Sequence, residues 1–337
     1  MIGASLRYLK RNLIYVVVGS LLAGLLVGQA VGSDARNLLQ AAVVPILFVM
    51  IYPMMINIDL REVLAAREHV APVGASLAVN FGIAPVVAIG LARLFFAGDP
   101  AYAIGLYLIA LIPTSGMTAA WTGLAGGDLE AALVAIAVNL VAAVFVLPVY
   151  LSALVGGDVG FDPNALYRQL AIVVVIPMVV GTLTRRLLLR RYGPERFEAL
   201  KPTFGGVSSF GVMLIVFVAM AIRAESILAD PVSSVATIVP LVAFYGLVLA
   251  VGAGVGRLLL PETQSVALVY ATSMRNLSIA LAIAAAPGFP PAESVLPIAL
   301  AYLVQPPLGA VYMQYRRDVV DADRSVTDAL YERLSGS

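Results

Sequence analysis

An all-α membrane protein, crossing the bilayer ten times as two inverted five-helix repeats with two broken crossover helices, is the fold class this sequence predicts. Three observations carry it. The 337 residues are 61% hydrophobic and only 12% charged, too little charge to cover a water-facing surface. The apolar residues fall in runs near the roughly 20 residues that span a hydrocarbon core. Two short polar segments, 113–118 and 271–276, interrupt such runs at corresponding places. Open backbone at membrane depth persists only where it lines a protein-enclosed site. In carriers made of inverted repeats, a matched pair of broken helices marks the substrate site.

The spans are placed at about 12–32, 36–56, 70–97, 101–125, 129–154, 166–187, 203–223, 235–259, 264–287 and 292–315. The first follows Arg7, Lys10 and Arg11, and its apolar run is longer than a signal-peptide h-region, so it reads as a retained span. Span three carries Asn80 and Pro85, and span five carries Asn139 and Pro148. Spans four and nine hold the interruptions; Pro113 lies in the first, and Pro85, Pro148 and Pro240 are compatible with kinks. Residues 1–155 form the first repeat, 156–165 a Gly- and Asp-rich linker, 166–315 the second repeat, and 316–337 a polar tail with one short surface helix. Residues 185–201 read as a strongly basic loop between spans six and seven.

The halves match in the position of their breaks. Thr114 follows the start of span one by 102 residues, and Thr272 follows the start of span six by 106. Five spans per half is odd, so the second half inserts with inverted topology. Orientation follows from positive charge. With the N-terminus inside, sixteen Lys and Arg fall on the inner side and four (Arg36, Arg93, Arg168 and Arg223) on the outer side, Arg275 lying within the membrane. Both termini are therefore expected in the cytoplasm of a cell whose inner (plasma) membrane holds the protein.

Composition also excludes functions. There is no cysteine, hence no disulfide, thiolate metal site or thiol nucleophile. The only histidine, His69, falls in a predicted loop. No Asp or Glu lies deep in a span, so neither an enzyme's acid–base pair nor a proton-coupling carboxylate is available. A net charge of +1 gives no nucleic-acid footprint. The partners expected are membrane lipid and a small anionic or polar solute.

Arg275 is the outstanding residue. Arginine at a helix centre costs about 2.5–3.5 kcal/mol on the insertion scale, so it must face the protein interior. Its functional reading is an anion-binding group in the transport pathway; the alternative is a permanent structural cation held by half-helix carbonyls. Thr114, Ser115 and Thr118 at the first break, and Asn276 and Ser278 at the second, join it as candidate substrate ligands. Capping of the half-helices is the competing role for all of these hydroxyls and amides. Asn80, Asn139 and Ser273 are candidate cation ligands, with interhelical cross-linking as the alternative. No resident metal or cofactor is expected; sodium is the one ion left open.

Residues 112–124 (IPTSGMTAAWTGL), followed by Gly127, Asp128 and Asn139, resemble the arsenite efflux permeases of the bile-acid/sodium symporter superfamily. Residues 50–53, 80–85 and 275–282 (RNLSIALA) fit the same pattern. The resemblance implies a panel domain of spans one, two, six and seven, and a core domain of spans three to five and eight to ten that carries both crossovers. It also implies departures. Thr114 stands where those permeases carry cysteine, and Ser278 and Gln305 where they carry glutamate.

The resulting expectation is a secondary transporter or uniporter that moves a small anion or polar organic solute by alternating access. The rival readings are a sodium-coupled organic anion symporter and an arsenite or antimonite efflux permease. A non-transporting sensor or channel is the reading from a different class.

Overall fold

The computed structural model describes residues 13–155, 167–168, 171–229, 231–285, 291–316 and 320. The expected linker at 156–165, nearly all of the tail, and Arg7, Lys10 and Arg11 lie outside those residues. The described chain is helical throughout, with one isolated backbone bridge between extended residues. Its elements are α1 (Leu13–Gly28), α2 (Ser33–Asn57), a 3-10 segment (Leu60–Arg67), α3 (Val70–Ala78), α4 (Ala84–Phe95), α5 (Pro100–Leu111) and α6 (Met117–Leu124). There follow α7 (Leu129–Val155), α8 (Ile176–Ala229), α9 (Pro231–Ala236), α10 (Ile238–Leu259), α11 (Glu262–Ser273), α12 (Leu277–Ala285) and α13 (Val295–Tyr315). A wide π turn, Val79–Ile83, joins α3 to α4 without breaking the rod.

Among the described residues, six helical stretches are long and apolar enough to cross a membrane: Asp34–Asn57, Val70–Phe95, Leu129–Leu154, Ile176–Ile222, Ile238–Leu259 and Val295–Tyr315. Tyr15–Gly28 and Pro100–Leu111 are apolar but shorter. Leu26, Val86, Phe145 and Leu258 are exposed large apolar side chains on these helices, the surface expected where the solvent is lipid. The chain is an all-α, multi-pass membrane protein.

Helices pack here through small residues, because lipid supplies no hydrophobic drive for helix to meet helix. A Cβ on Gly24 of α1 would stand 2.5 Å from the Phe217 carbonyl oxygen of α8 and 2.8 Å from Met220 Cβ. Gly28, one turn on, abuts Ala221 and Ala224 in the same way. Gly211 of α8 lies so close to α2 that a Cβ would be 2.6 Å from Met50 Cα. Thus α8 packs most extensively on α2 and α1, while α11 sits among α10, α3, α6 and α7.

The expected basic loop at 185–201 is corrected: helix continues on both sides of Gly193, whose φ is 78°. That left-handed conformation suits glycine, and Pro194 then opens the second arm where its missing N–H costs nothing. The turn is held by Arg185, whose guanidinium lies 4.8 Å from the Phe197 ring and bonds Asp59 at 2.7 Å. His69, also expected in a loop, is buried ahead of α3 with Nδ1 3.4 Å from the Ala65 carbonyl oxygen. It serves the local turn.

Connections predicted for the positively charged side touch one another in space. Asn57 Nδ2 donates to the Lys201 carbonyl at 3.4 Å, the Asp128 N–H donates to Thr263 O at 2.9 Å, and Arg316 pairs with Glu262 at 2.7 Å. At segments predicted for the opposite side, Arg36 pairs with Glu225 at 2.7 Å.

Candidate functional site at the helix crossover

The two interruptions meet. Helix α5 ends at Ile112, whose ψ of 144° leaves the helical region. Pro113 follows and, lacking an N–H, cannot continue the ladder. Helix α11 ends at Met274 (φ −91°, ψ 83°), and α12 restarts at Leu277. Between these ends Thr114 and Arg275 form an antiparallel backbone bridge. The Ser115 N–H donates to Met274 O at 2.8 Å, and the Asn276 N–H donates to Pro113 O at 2.8 Å. Each break thus satisfies backbone groups of the other, as buried chain without water requires.

Side chains complete the crossing. Thr114 Oγ1 lies 2.6 Å from Thr118 Oγ1 and donates to Met274 O at 3.1 Å. Thr118 Oγ1 donates to Tyr270 O at 3.1 Å. Ser115 Oγ accepts from the Met117 N–H at 3.2 Å, and Asn276 Oδ1 accepts from the Ile279 N–H at 3.3 Å, so both cap a restarting helix. Thr114, Ser115, Thr118, Arg275 and Asn276 are therefore brought together, all buried. Ser278 stands a step into α12, 3.1 Å from the Tyr302 hydroxyl of α13. Ser273 donates back to Val269 O at 2.7 Å and stays with its own helix.

Arg275 is the largest fully buried side chain among the described residues, 1% exposed. Its Nη1 donates to Ile112 O, the end of α5, at a long 3.4 Å. Its Nε and Nη2 have no hydrogen-bond partner. No carboxylate pairs with the guanidinium among the described residues. Its backbone, by contrast, is clamped. Gln305 Oε1 accepts the Arg275 N–H at 2.8 Å while Gln305 Nε2 donates to Arg275 O at 3.1 Å.

Beside the crossover, Asn80 Nδ2 donates to Asn139 Oδ1 at 2.8 Å and to Ala271 O at 3.0 Å. Asn139 Nδ2 donates in turn to Ser76 Oγ at 2.9 Å and Ala135 O at 2.8 Å. The pair ties α3 and its π turn to α7 and α11. Only Asn80 Oδ1 is left without a partner, whereas a hard cation gathers several oxygens. No group of three or more His, Cys, Asp or Glu able to hold a metal occurs among the described residues.

Sequence reasoning did not name Gln305 among the candidate ligands. Gln305 carried a signal, since it stands where the arsenite permeases carry glutamate, as an amide before the Pro306–Pro307 pair of an apolar helix.

Residues 44–230, more than half the chain, match the model of the sodium bile acid symporter family. The arsenical-resistance protein Acr3 of Alkaliphilus metalliredigens is 27% identical over 260 residues, 71% of this chain and 72% of that protein. Acr3 of Corynebacterium glutamicum is 25% identical over 213 residues, 59% of this chain and 57% of that protein. Sodium/bile acid cotransporter 7 of Danio rerio is 30% identical over 114 residues, 34% of this chain and 32% of that protein.

Proposed function

The chain belongs to the sodium bile acid symporter family, and from that premise we propose that this membrane transporter carries a small anion, with Arg275 as its charge-binding group. The fold we assign it has ten spans in two inverted five-helix repeats, with both termini in the cytoplasm of the inner membrane. Helices α1, α2 and α8 form the panel; the rest form a core that moves with the crossover. Arg275, Thr114, Ser115, Thr118, Asn276 and Ser278 are the proposed substrate ligands.

The observation that carries this reading is the buried, half-unpartnered guanidinium. A desolvated charge is costly unless paired and hydrogen-bonded. Arg275 has spent Nη1 on a long bond and kept Nε and Nη2 unused. Those two nitrogens are adjacent donors, and a planar or tetrahedral oxyanion accepts from such an edge through two oxygens. Bound anion would offset the desolvation that the protein alone leaves uncompensated.

The crossover geometry supports alternating access. Because the two breaks bridge each other, α5, α6, α11 and α12 hold the ligand groups as one unit. Rocking that unit against the panel would expose Arg275 to each side in turn, without any change in its own hydrogen bonds. An anion carried by a fixed cation needs no co-ion, since the negative cell interior already favours its exit.

Relatives named for arsenical resistance raise an arsenite substrate, but the chain has no cysteine, the soft ligand that thiophilic species prefer. Sodium-coupled organic anion symport is the second reading, favoured by the unpartnered Asn80 Oδ1.

The test is ligand-induced stabilisation of the detergent-purified protein, since a ligand that binds only the native state raises its unfolding temperature. Sodium, arsenite and a panel of small carboxylates and oxyanions are compared on wild type and Arg275→Gln. Stabilisation by an anion that vanishes in the variant supports the reading. Stabilisation by sodium or arsenite alone, unchanged in the variant, overturns it.

A further inference from the structure

Away from the crossover, a cleft of about 260 Å³ opens where α10 ends, α11 begins and α13 ends. Its walls include Arg257, Leu260, Glu262, Ser265, Tyr315 and Arg316. Two arginines face one glutamate, so the cleft is net positive. Arg316 is fixed by its 2.7 Å bond to Glu262, and only 12% of its side chain is exposed. Arg257 is exposed and reaches the Tyr315 hydroxyl at 2.8 Å. Both guanidinium groups are thus pre-oriented from two helices toward one opening.

We propose that this cleft binds a phosphate group, carried by a phospholipid of the adjoining leaflet. Phosphate is the class that two preset guanidinium groups with hydroxyl neighbours recognise best, through charge-assisted and bidentate bonds. The volume accommodates a headgroup and is below that of drug-sized ligand sites. The rim favours lipid as the source. Leu258 and Leu259, next to Arg257, are among the exposed apolar side chains, so an acyl chain has an apolar helix surface to follow from the phosphate. The cleft also lies at the end where Thr263 meets Asp128, on the side predicted to carry the basic residues, where membrane-facing arginines attract anionic headgroups.

The cleft is mechanically joined to the crossover. Tyr312, also in its wall, packs edge-on against Tyr270 with ring centroids 5.4 Å apart. Tyr270 stacks on Trp121 at 6.2 Å, and its carbonyl accepts from Thr118 at 3.1 Å. A ligand against Tyr312 therefore bears on the aromatic stack beneath both breaks.

Trp121 is the only tryptophan in the chain, which gives the proposal an intrinsic probe. The detergent-purified full chain is titrated with dioctanoyl phosphatidylglycerol, inorganic phosphate and dioctanoylglycerol, while Trp121 emission is read. The expected result is a saturable change with phosphatidylglycerol, absent with dioctanoylglycerol, and weakened about tenfold or more in Arg257→Ala, the loss of one charge-assisted contact. Saturation by inorganic phosphate with the same Arg257 dependence supports the phosphate site and assigns the free anion as its source. No saturable change with either phosphate compound overturns the proposal, as does a response equal in wild type and Arg257→Ala. Arg257 is exposed and remote from Arg275, so this result is independent of the anion-carrier reading.

Discussion

Replacing Gln305 with leucine isolates the clamp on Arg275. The side chain keeps nearly the same volume, so no cavity is created. What goes is the bond from the Arg275 N–H at 2.8 Å and the bond to Arg275 O at 3.1 Å. Both backbone groups lie at a residue 1% exposed, beside a glutamine that is itself 1% exposed, so water cannot replace the lost partner. Leaving a buried polar group unsatisfied costs about 1–3 kcal/mol. Only the N–H is orphaned, because Arg275 O still accepts the Leu277 N–H at 3.0 Å, so the expected destabilisation is about 1–3 kcal/mol. Denaturant unfolding in detergent, followed by Trp121 fluorescence, measures it. Gln305→Glu refines the result. It retains the acceptor for the Arg275 N–H, loses the donor to Arg275 O, and sets a negative charge near the guanidinium. Its stability is expected between leucine and wild type, with any anion-induced stabilisation lost. A Gln305→Leu protein within about 0.5 kcal/mol of wild type, the range of an inconsequential surface change, would refute the reasoning.

Other outcomes follow from the same contacts. Thr118→Val removes the 3.1 Å bond to Tyr270 O and the 2.6 Å contact with Thr114, and should cost about 1–2 kcal/mol of unfolding free energy in the same titration. Gly211→Ala places a Cβ 2.6 Å from Met50 Cα; overpacking of that kind costs about 1–3 kcal/mol and should lower the thermal midpoint, whereas Gly19→Ala, with nothing within 4 Å, should not. Glu225, beyond the apolar stretch of α8, has its carboxyl held below the usual carboxylate range by its hydrogen bond to Arg36. A depressed carboxyl contributes stability above its unfolded value and loses it as pH falls through the folded value. Wild type and Glu225→Gln midpoints should therefore differ at neutral pH and converge in acid.

Much of this was legible in the sequence, because a bilayer narrows what a chain can do. The lengths of apolar runs and the two polar interruptions located the helices, and Pro113 marked where α5 must stop. The structure narrows the breaks to the residues around Thr114 and Arg275. Their mutual backbone bridge was not readable, since it pairs positions 161 apart and leaves no local pattern. The 185–201 segment was misread because its charge density resembles a loop, while Arg185 stacking on Phe197 keeps it helical up to Gly193. Gly24 and Gly28, at small-xxx-small spacing, drew no reading from the sequence, and the structure shows both pressed against α8. Within the site, Thr114, Ser115, Thr118 and Asn276 join Arg275, but Ser273 turns back on its own helix and Ser278 is shared with Tyr302. Gln305 comes from another span, and only the three-dimensional structure shows that it clamps the Arg275 backbone.

The most direct measurement is anion-evoked current in sodium-free proteoliposomes on a solid-supported membrane, comparing wild type with Arg275→Gln. The account predicts that at least one small carboxylate or oxyanion moves negative charge through wild type without sodium, and that the current disappears in Arg275→Gln. Currents that require sodium, or that persist undiminished in Arg275→Gln, would contradict it.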